Sequence, residues 1–472
     1  MTRKQYLASA CLAVLLILAL VAALLPQDHP DAKPDAFVAA DLAWMLTASG
    51  LVLFMVPGLA FFYGGMVSKR SVISTMLQSF ISLGVISVLW YVVGFSLAFG
   101  ESIGGVIGNP MTFLLFNHVG TAPHPRLAPN LPLVLYAAFQ LKFAIITPAL
   151  ISGAFAERIR FWGYLLFISL FSLVIYCPLA HWTWHPDGFL FKWGVLDFAG
   201  GTVVHISAGF AALAGALALG RREAHKAGHQ HIPVNIPFVL LGTGLLWFGW
   251  FGFNSGSALA ANTVAVQAFF TTHMASAAAM LTWMLIEAVR GQRPSAVGAA
   301  IGAVVGLVAI TPAAGYVSYG PALFIGASAA AISAWAVAMK NRTTLDDTLD
   351  VFPCHGVGGI VGMIMTAVFA KEGGLITGST TLFLHHIGAL VFISVFTFGG
   401  SFLLYKFTNL LIPIRVNARH EADGLDVSQH GETMAPAHEP LPMAPEPYIT
   451  PEQLALGTSQ LQASNWPLAS NA

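Results

Sequence analysis

Two histidines, His205 and His355, lie in apolar stretches of the sequence, where an ionisable side chain is costly and is a candidate for function. A neutral imidazole offers one hydrogen-bond donor and one acceptor, and it titrates near neutral pH. Two facing imidazoles could pass a proton between them or line a narrow pore with polar groups. Two imidazoles that do not meet would instead bond separately to backbone or Ser/Thr groups, and the residues alone leave both arrangements open.

Two aspartates, Asp197 and Asp350, stand at the predicted starts of the helices that carry these histidines. Aspartate is favoured at such a position because its carboxylate accepts hydrogen bonds from the free N–H groups of the first turn. We therefore expect both carboxylates to cap their helices. The carboxylate of Asp197 could also attract a cation, and the two roles are compatible.

Aromatic side chains supply a second kind of chemistry. The face of an aromatic ring attracts a small cation by about 0.5–2 kcal/mol once water is partly removed. The chain holds 34 Phe and 11 Trp, most of which must face lipid or neighbouring helices. The candidates to meet a cation in a pore are Phe143, Trp184 and Phe253.

Lys142, His273 and Glu287 complete the ionisable residues of the apolar stretches. Glu287 lies near the end of its stretch and needs no function. Lys142 adjoins Phe143, but neighbours on a helix point about 100° apart, so its ammonium group need not face a pore. We expect that group to reach toward water or to pair elsewhere.

An intramembrane metal hydrolase is the alternative from a different functional class. Its ligands would be drawn from Asp197, His205, His273 and His355. Zinc sites need ligands that converge from suitable spacings, and the sequence contains no H-E-x-x-H or similar motif. We therefore expect neither enzymatic activity nor a metal or other cofactor.

The surroundings of these residues follow from composition. Of 472 residues, 56% are hydrophobic and 9% are charged, whereas a soluble domain usually carries about a quarter charged residues. So few charges cannot cover a water-facing surface of this size, and a lipid bilayer is the expected solvent. Lys plus Arg and Asp plus Glu are 21 each, so no net charge indicates nucleic acid. The three cysteines form no C-x-x-C pair, which argues against a disulfide framework.

The sequence predicts an all-α membrane protein with eleven transmembrane helices, because eleven apolar segments approach the length of about 20 residues that spans hydrocarbon. An odd number allows two inverted five-helix repeats plus one extra helix. The long polar break at 101–130 is predicted to be a loop. The predicted spans are 40–66, 71–99, 131–156, 161–181, 197–219, 234–257, 265–288, 296–315, 319–339, 351–370 and 381–411.

The two ends of the chain differ from this membrane domain, which we assign to 40–415. Residues 1–26 have a basic start and an apolar run, which indicates a signal peptide or an extra N-terminal helix. Residues 416–432 form a predicted polar tail, and the Pro-rich segment 433–472 is predicted to be disordered. Lys and Arg fall in alternate short loops, which predicts a multi-pass protein of the cell (inner) membrane with a cytoplasmic C-terminus.

Five segments resemble the motifs of the ammonium transporter (Amt/Rh) family, and in particular its bacterial Amt type. These segments keep the order and spacing of the family between about residues 40 and 432. They are DFAGGTVVH (197–205), DVFPCHGVGG (350–359), GWFGFNSGS (249–257), AFAERIRF (154–161) and EADGLDVSQHGE (421–432). The resemblance implies a pseudo-twofold bundle of two five-helix halves, with one pore in each subunit of a homotrimer.

The resemblance also implies roles for single residues. Phe143, Trp184 and Ser257 match the outer ammonium-recruiting site, and Asp197 matches the essential acid behind it. The stacked gate corresponds to Phe139 or Phe143, together with Phe253. The paired pore histidines correspond to His205 and His355.

The implied function is an ammonium transporter or channel that deprotonates ammonium and passes ammonia; an ammonium sensor and an Rh-like channel for a neutral gas are the alternatives. The resemblance also implies that the tail 416–432 is regulatory. The implied partners are ammonium and a PII signalling protein that binds this tail. We expect the tail to pack on a neighbouring subunit near Arg221, Arg222 and Lys340, unless it is a solvated segment that only aids folding. The matching tail residues are Glu421, Gly424, Asp426, His430 and Glu432.

Overall fold

The computed structural model describes residues 3–25, 27–33, 36–229 and 231–434. These residues are mostly helical. Helix α1 (Arg3–Leu24) covers the segment predicted as a signal peptide or an extra helix, and that alternative stays open. The segment 435–472, which contains nearly all of the predicted disordered extension, lies outside the described residues.

The helices that follow α1 are α2 (Ala39–Met66), α3 (Val72–Leu89), α4 (Phe95–Phe99), α5 (Leu133–Ile151), α6 (Phe161–Phe171), α7 (Cys177–Trp184), α8 (Phe189–Lys192) and α9 (Ser207–Leu219). Next come α10 (Glu223–Lys226), α11 (Ile236–Gly256), α12 (Thr263–Val289), α13 (Ala296–Ile310), α14 (Tyr319–Lys340), α15 (Gly358–Phe369), α16 (Thr381–Leu411) and α17 (Ala418–Asp423). Short 3-10 turns are Leu114–Phe116, Ser152–Phe155 and Leu375–Thr377, and π-helical turns are Trp90–Gly94, Ser172–Tyr176, Gly201–Ile206, Phe352–Val357 and Asp426–His430.

Ten helical segments in the described ranges are long and apolar enough to cross a membrane. They correspond to ten of the predicted spans, although the segment Phe161–Lys192 runs well beyond the predicted end at 181. The remaining prediction, 296–315, coincides with the shorter apolar helix α13, which ends two residues before Pro312. The all-α membrane class is therefore confirmed, and the count of eleven spans stays a prediction.

The segment 101–130 is more ordered than the loop predicted for it. Strand β1 (Ser102–Ile103) pairs with β2 (Ile107–Gly108), and β3 (Pro123–His124) pairs with β4 (Ala128–Pro132), both antiparallel. The first hairpin lies against α7, since the indole Nε1 of Trp182 donates to the carbonyl of Val106 at 2.5 Å. The strands were missed because each is too short to show an alternating pattern.

The helices that carry His205 and His355 both begin with a π-helical turn, and both histidines lie within that turn. The carboxylate of Asp197 caps the first of these turns. The predicted cap at Asp350 is wrong, because Asp347 accepts hydrogen bonds from the backbone N–H groups of Val351 at 3.1 Å and Phe352 at 2.7 Å.

Asp350 has a different environment, with a left-handed backbone (φ 57°) and an ion pair to Lys340 at 2.7 Å. A capping carboxylate usually accepts from the second or third residue after it. For Asp350 these are Phe352, whose N–H is donated to Asp347, and Pro353, which has no N–H. Asp347 stands eight residues before His355, and Asp197 stands eight residues before His205. This equal spacing is the signal that would have identified Asp347.

The helix that carries His205 and the helix that carries His355 make a backbone-to-backbone contact at Gly209 and Gly356. A Cβ atom placed on Gly209 of α9 would lie 2.2 Å from the backbone nitrogen of Gly356 and 2.3 Å from its Cα. Neither backbone can yield without moving its helix, so Gly209 sets the separation of the helices that carry the two histidines.

We predict that Gly209→Ala destabilises the protein by about 1–3 kcal/mol, the usual cost of overpacking a tight contact. Gly244 on α11 is the matched control, since an added Cβ there would meet nothing within 4 Å. Gly244→Ala should leave the melting temperature unchanged or raise it slightly, because alanine favours the helix. Thermal unfolding in detergent measures both variants, and equal melting temperatures would show that the close approach does not matter.

Candidate functional site

A continuous series of aromatic contacts begins at the end of α7. The ring centroid of Phe143 on α5 lies 5.7 Å from that of Trp184, edge to face, and 4.3 Å from that of Phe253 on α11. Phe139 contacts the other side of Phe143 at 5.0 Å. The ring that contacts Phe253 directly is therefore Phe143, and Phe139 lies one helical turn away from it.

The two histidines follow next in the series. The rings of His205 and Phe253 are 6.0 Å apart, and the Nδ1 atoms of His205 and His355 are 3.4 Å apart. Both imidazoles are buried. Of the two facing Nδ1 atoms, one must carry the hydrogen and the other must accept it, since a bond between two bare nitrogens is impossible. The Nε2 atom of His205 has no hydrogen-bond partner in the described part of the chain.

Trp250 contacts this pair and was not singled out from the sequence, although it lies inside the motif at 249–257. Its ring is stacked on that of His205 at 5.3 Å with an interplanar angle of 16°. Its Nε1 donates to the hydroxyl of Thr311 at 2.9 Å, which fixes the indole. Trp250 therefore restricts the orientation of the first pore histidine.

Asp197 is buried and holds the start of its helix through four donors. Its carboxylate accepts from the backbone N–H groups of Gly200 at 2.9 Å, Gly201 at 2.6 Å and Thr202 at 2.7 Å, and from the hydroxyl of Thr202 at 2.5 Å. Its backbone carbonyl accepts the Nε1–H of Trp184 at 3.1 Å. The same residue thus orients the π-helical turn and the tryptophan that begins the aromatic series.

Ser257 directly follows α11, one turn beyond Phe253, and it is partly exposed. Its hydroxyl donates to the carbonyl of Phe253 at 2.8 Å, so an oxygen lone pair remains to accept a bond from a bound cation. Trp184 contacts Phe143, and Phe143 contacts Phe253. Ser257 lies one helical turn beyond Phe253, so these contacts connect the two predicted recruitment residues.

Two of the ionisable residues considered from the sequence stand apart from this series. His273 is exposed and packs on Trp247 at 5.4 Å, so it does not join the buried histidine pair. Lys142 is half-buried, and within the described residues it makes no ion pair. Of the two expectations for Lys142, its partial exposure leaves open that the ammonium group reaches toward water.

The tail residues bind the start of α3. The carboxylate of Asp426 is buried and accepts from the backbone N–H groups of Ile73 at 3.1 Å and Ser74 at 2.7 Å. Gly424 adopts φ 94°, and a Cβ there would lie 2.3 Å from the Cβ of Arg70. Burial raises the pKa of Asp426, an effect only partly offset by its bonds to these N–H groups.

The other predicted tail residues contact their own chain as well. Glu421 accepts from the backbone N–H of Glu223 at 2.5 Å and pairs with Arg415 at 2.8 Å. The Nε2 of His430 lies 3.1 Å from the hydroxyl of Ser74. Glu432 is exposed and contributes its backbone N–H to the carbonyl of Asp426. These contacts lie within one chain, and the packing of the tail on a neighbouring subunit near Arg221, Arg222 and Lys340 stays a prediction.

A buried ion-pair network lies beside this tail site. Arg222 binds Asp346 at 3.0 Å and Glu157 at 2.8 Å. Burial alone would raise the pKa of Asp346, but the hydrogen bonds and charge of Arg222 outweigh it and hold the pKa at about 2. In Asp347 burial prevails over the charge of Lys340 and raises the pKa to about 6.

Comparison with known proteins agrees with this geometry. The model of the Ammonium Transporter Family matches residues 43–435. The chain is 45% identical over 409 residues to an ammonium transporter of Aquifex aeolicus, which covers 85% of this chain and 94% of that protein.

Two solved structures are similar as well. The crystal structure of Saccharomyces cerevisiae Mep2 has 34% identity and a TM-score of 0.76, and the match covers 82% of this chain and 92% of that chain. A structure described as a sensor Amt protein has 28% identity and a TM-score of 0.77, with 83% and 98% covered. The family match spans most of the sequence, and the chain therefore belongs to the Ammonium Transporter Family.

Proposed function

We propose that this protein transports ammonium across a membrane by recruiting the cation at Trp184, Phe143 and Ser257, removing a proton, and passing ammonia along His205 and His355. The observation that carries the proposal is the unbroken series of ring contacts from Trp184 to the histidine pair. Membership of a family of channels and transporters supports transport and gives no support to an enzyme. An ammonium pulse applied to proteoliposomes, read by solid-supported-membrane electrophysiology, tests it.

Recruitment uses two weak attractions together. The faces of Trp184 and Phe143 attract a partly dehydrated cation, and the hydroxyl of Ser257 accepts one of its N–H bonds. The buried negative charge of Asp197 lies behind the indole and adds a favourable potential. Each attraction is small, so the site binds ammonium loosely enough to release it inward.

Deprotonation separates ammonium from potassium. Phe143 and Phe253 close the path with apolar rings, and moving a bare ion through such a region is expensive. Ammonium can transfer a proton to water on the outer side of these rings and continue as neutral ammonia, whereas potassium has no proton to transfer. Ammonia can then exchange hydrogen bonds with the unpartnered Nε2 of His205.

The remaining proposals concern the number of spans, the oligomeric state and the membrane location. We infer eleven spans in two inverted five-helix repeats plus one helix, a homotrimer with one pore per subunit, and insertion in the cell (inner) membrane with a cytoplasmic tail. The paired Asp-to-His spacings and π-helical turns in the two halves support the repeat. A sensor role is not better supported, since the relative with 45% identity is named a transporter and the sensor structure has 28% identity.

The first functional prediction concerns the histidine pair. His205→Ala and His355→Ala should each lower the ammonium current about tenfold or more, or admit potassium, because ammonia loses a buried hydrogen-bond partner. His273→Ala is the matched control and should transport normally. Ammonium and potassium pulses on proteoliposomes measure both effects. Full ammonium current with potassium still excluded in both pair variants would refute the twin-histidine path.

The second prediction separates the charge of Asp197 from its capping role. Asp197→Ala should abolish uptake, since the turn at Gly200 to Thr202 loses all its acceptors. Asp197→Asn keeps an acceptor oxygen for part of the turn but removes the charge, and it should transport only weakly. Currents normalised to the amount of folded protein give the comparison. If the Asn variant is fully active, the charge is dispensable and Asp197 serves only as a cap.

The third prediction concerns regulation by the tail and a PII protein. Asp426→Ala and Gly424→Ala should impair transport, because each removes or displaces the cap on α3. Asp423→Ala is the control, since Asp423 is exposed and only faces Arg419 at 3.7 Å. Deletion of 433–472 should leave transport intact. A chain cut before Glu421 that transports normally and still binds PII equally well would contradict the regulatory role.

A further inference from the structure

One buried histidine outside the pore contacts the turn that carries Asp197. His386 on α16 is fully buried. Its Nε2 lies 3.0 Å from the backbone nitrogen of Leu196, and its Nδ1 lies 2.8 Å from the carbonyl oxygen of Met363 on α15. The backbone N–H of Leu196 can only donate, so the Nε2 that accepts from it carries no hydrogen. The carbonyl of Met363 can only accept, so Nδ1 carries the hydrogen. The ring is therefore neutral, and both of its nitrogens are used.

The residues that follow Leu196 have no regular secondary structure until the π-helical turn begins at Gly201. Their position depends on contacts with other elements. The carbonyl of Asp197 accepts the indole N–H of Trp184, and the backbone N–H of Phe198 donates to the carbonyl of Pro312 at 3.1 Å. The hydrogen bond that His386 accepts from the N–H of Leu196 fixes the Val195–Leu196 peptide, one residue before Asp197.

A buried histidine in a helix bundle most often serves packing, and the bond to Met363 alone would satisfy that role. The bond to Leu196 is different, because Leu196 lies in the irregular segment that contains Asp197. The carbonyl of Asp197 in turn accepts the indole N–H of Trp184. If the bond from Leu196 to His386 is lost, the N–H of Leu196 loses its acceptor at a partly buried position, where water replaces the bond only in part. The segment would then shift, and the indole bonded to Asp197 would shift with it.

We propose that His386 is a positioning residue for ammonium recruitment. By accepting the N–H of Leu196 it anchors the chain one residue before Asp197, and through the Asp197 carbonyl, which accepts the indole N–H, it holds the ring of Trp184 in the orientation that meets the cation. The inference rests on the proposed function, because it assumes that Trp184 contributes to ammonium affinity. His386 itself touches neither the substrate nor the pore histidines in this account.

Two conservative variants separate the bonds of His386. In His386→Gln the side-chain oxygen reaches the place of Nε2 and can accept from Leu196. In His386→Asn the shorter amide occupies the place of Nδ1, so it can donate to Met363 but cannot reach Leu196. His386→Ala removes both bonds. The neighbouring His385, which is partly exposed and packs on Trp193 at 4.9 Å, supplies the control His385→Ala.

The measurement is the ammonium concentration that gives half-maximal current in proteoliposomes, together with the maximal current per folded protein. His386→Ala and His386→Asn should raise the half-maximal concentration about tenfold, the equivalent of one lost hydrogen bond. His386→Gln and His385→Ala should stay within about twofold of the unaltered protein. If His386→Ala fails to accumulate, the Asn and Gln variants decide the question by themselves.

Trp184→Leu, measured alongside, separates a failure of the recruitment site from a failure of the role proposed for His386. If it raises the half-maximal concentration while His386→Asn does not, His386 is not a positioning residue and the proposed function stands. If His386→Asn and His386→Gln behave alike, or lower only stability and maximal current, the role is structural and the inference is overturned. If Trp184→Leu has no effect on affinity, the proposed recruitment site fails and the inference fails with it.

Discussion

The structure depends on one constraint: the first backbone N–H groups of its buried helices need hydrogen-bond acceptors. The first N–H groups of a helix have no partner within it, and inside a bilayer no bulk water replaces one. Asp197 and Asp347 supply that partner for the two helices whose first turns contain His205 and His355. Because each carboxylate stands eight residues before its histidine, satisfying the backbone also fixes where the imidazole lies. The two caps and the close contact of Gly209 with Gly356 together place the Nδ1 atoms of the histidines 3.4 Å apart.

The pore chemistry follows from that arrangement. The same low polarity that makes an unpaired N–H costly makes a bare cation costly, so a path lined by Phe143 and Phe253 favours a neutral molecule. The indole N–H of Trp184 is already donated to the carbonyl of Asp197, so the polar atoms left along the rings are the hydroxyl of Ser257 and the imidazole pair. In the proposed function, the rings of Phe143 and Phe253 separate cation recruitment from hydrogen bonding to ammonia.

The sequence predicted the helical membrane class and the ring and histidine residues that meet in the site, since His205, Phe253 and His355 lie in segments that keep the order and spacing of the family. It failed where position depends on the three-dimensional path. Asp350 was preferred to Asp347 because it is nearer to the helix, although the N–H groups within its reach are either donated to Asp347 or absent. His386 carries no local signal, because its partners Leu196 and Met363 are distant in sequence.

The tail uses the same device as the pore helices. Asp426 accepts from the first turn of α3, and Glu421 accepts from the first residue of α10. The N–H of Ser74 is buried, so a partner that lifts the tail must leave it unpaired or provide an acceptor of its own, at a cost of about 1–3 kcal/mol. The N–H of Glu223 is exposed, so water can replace Glu421 there. Since α3 packs against α5, which carries Phe143, loosening the start of α3 can reach the aromatic series through direct helix contact.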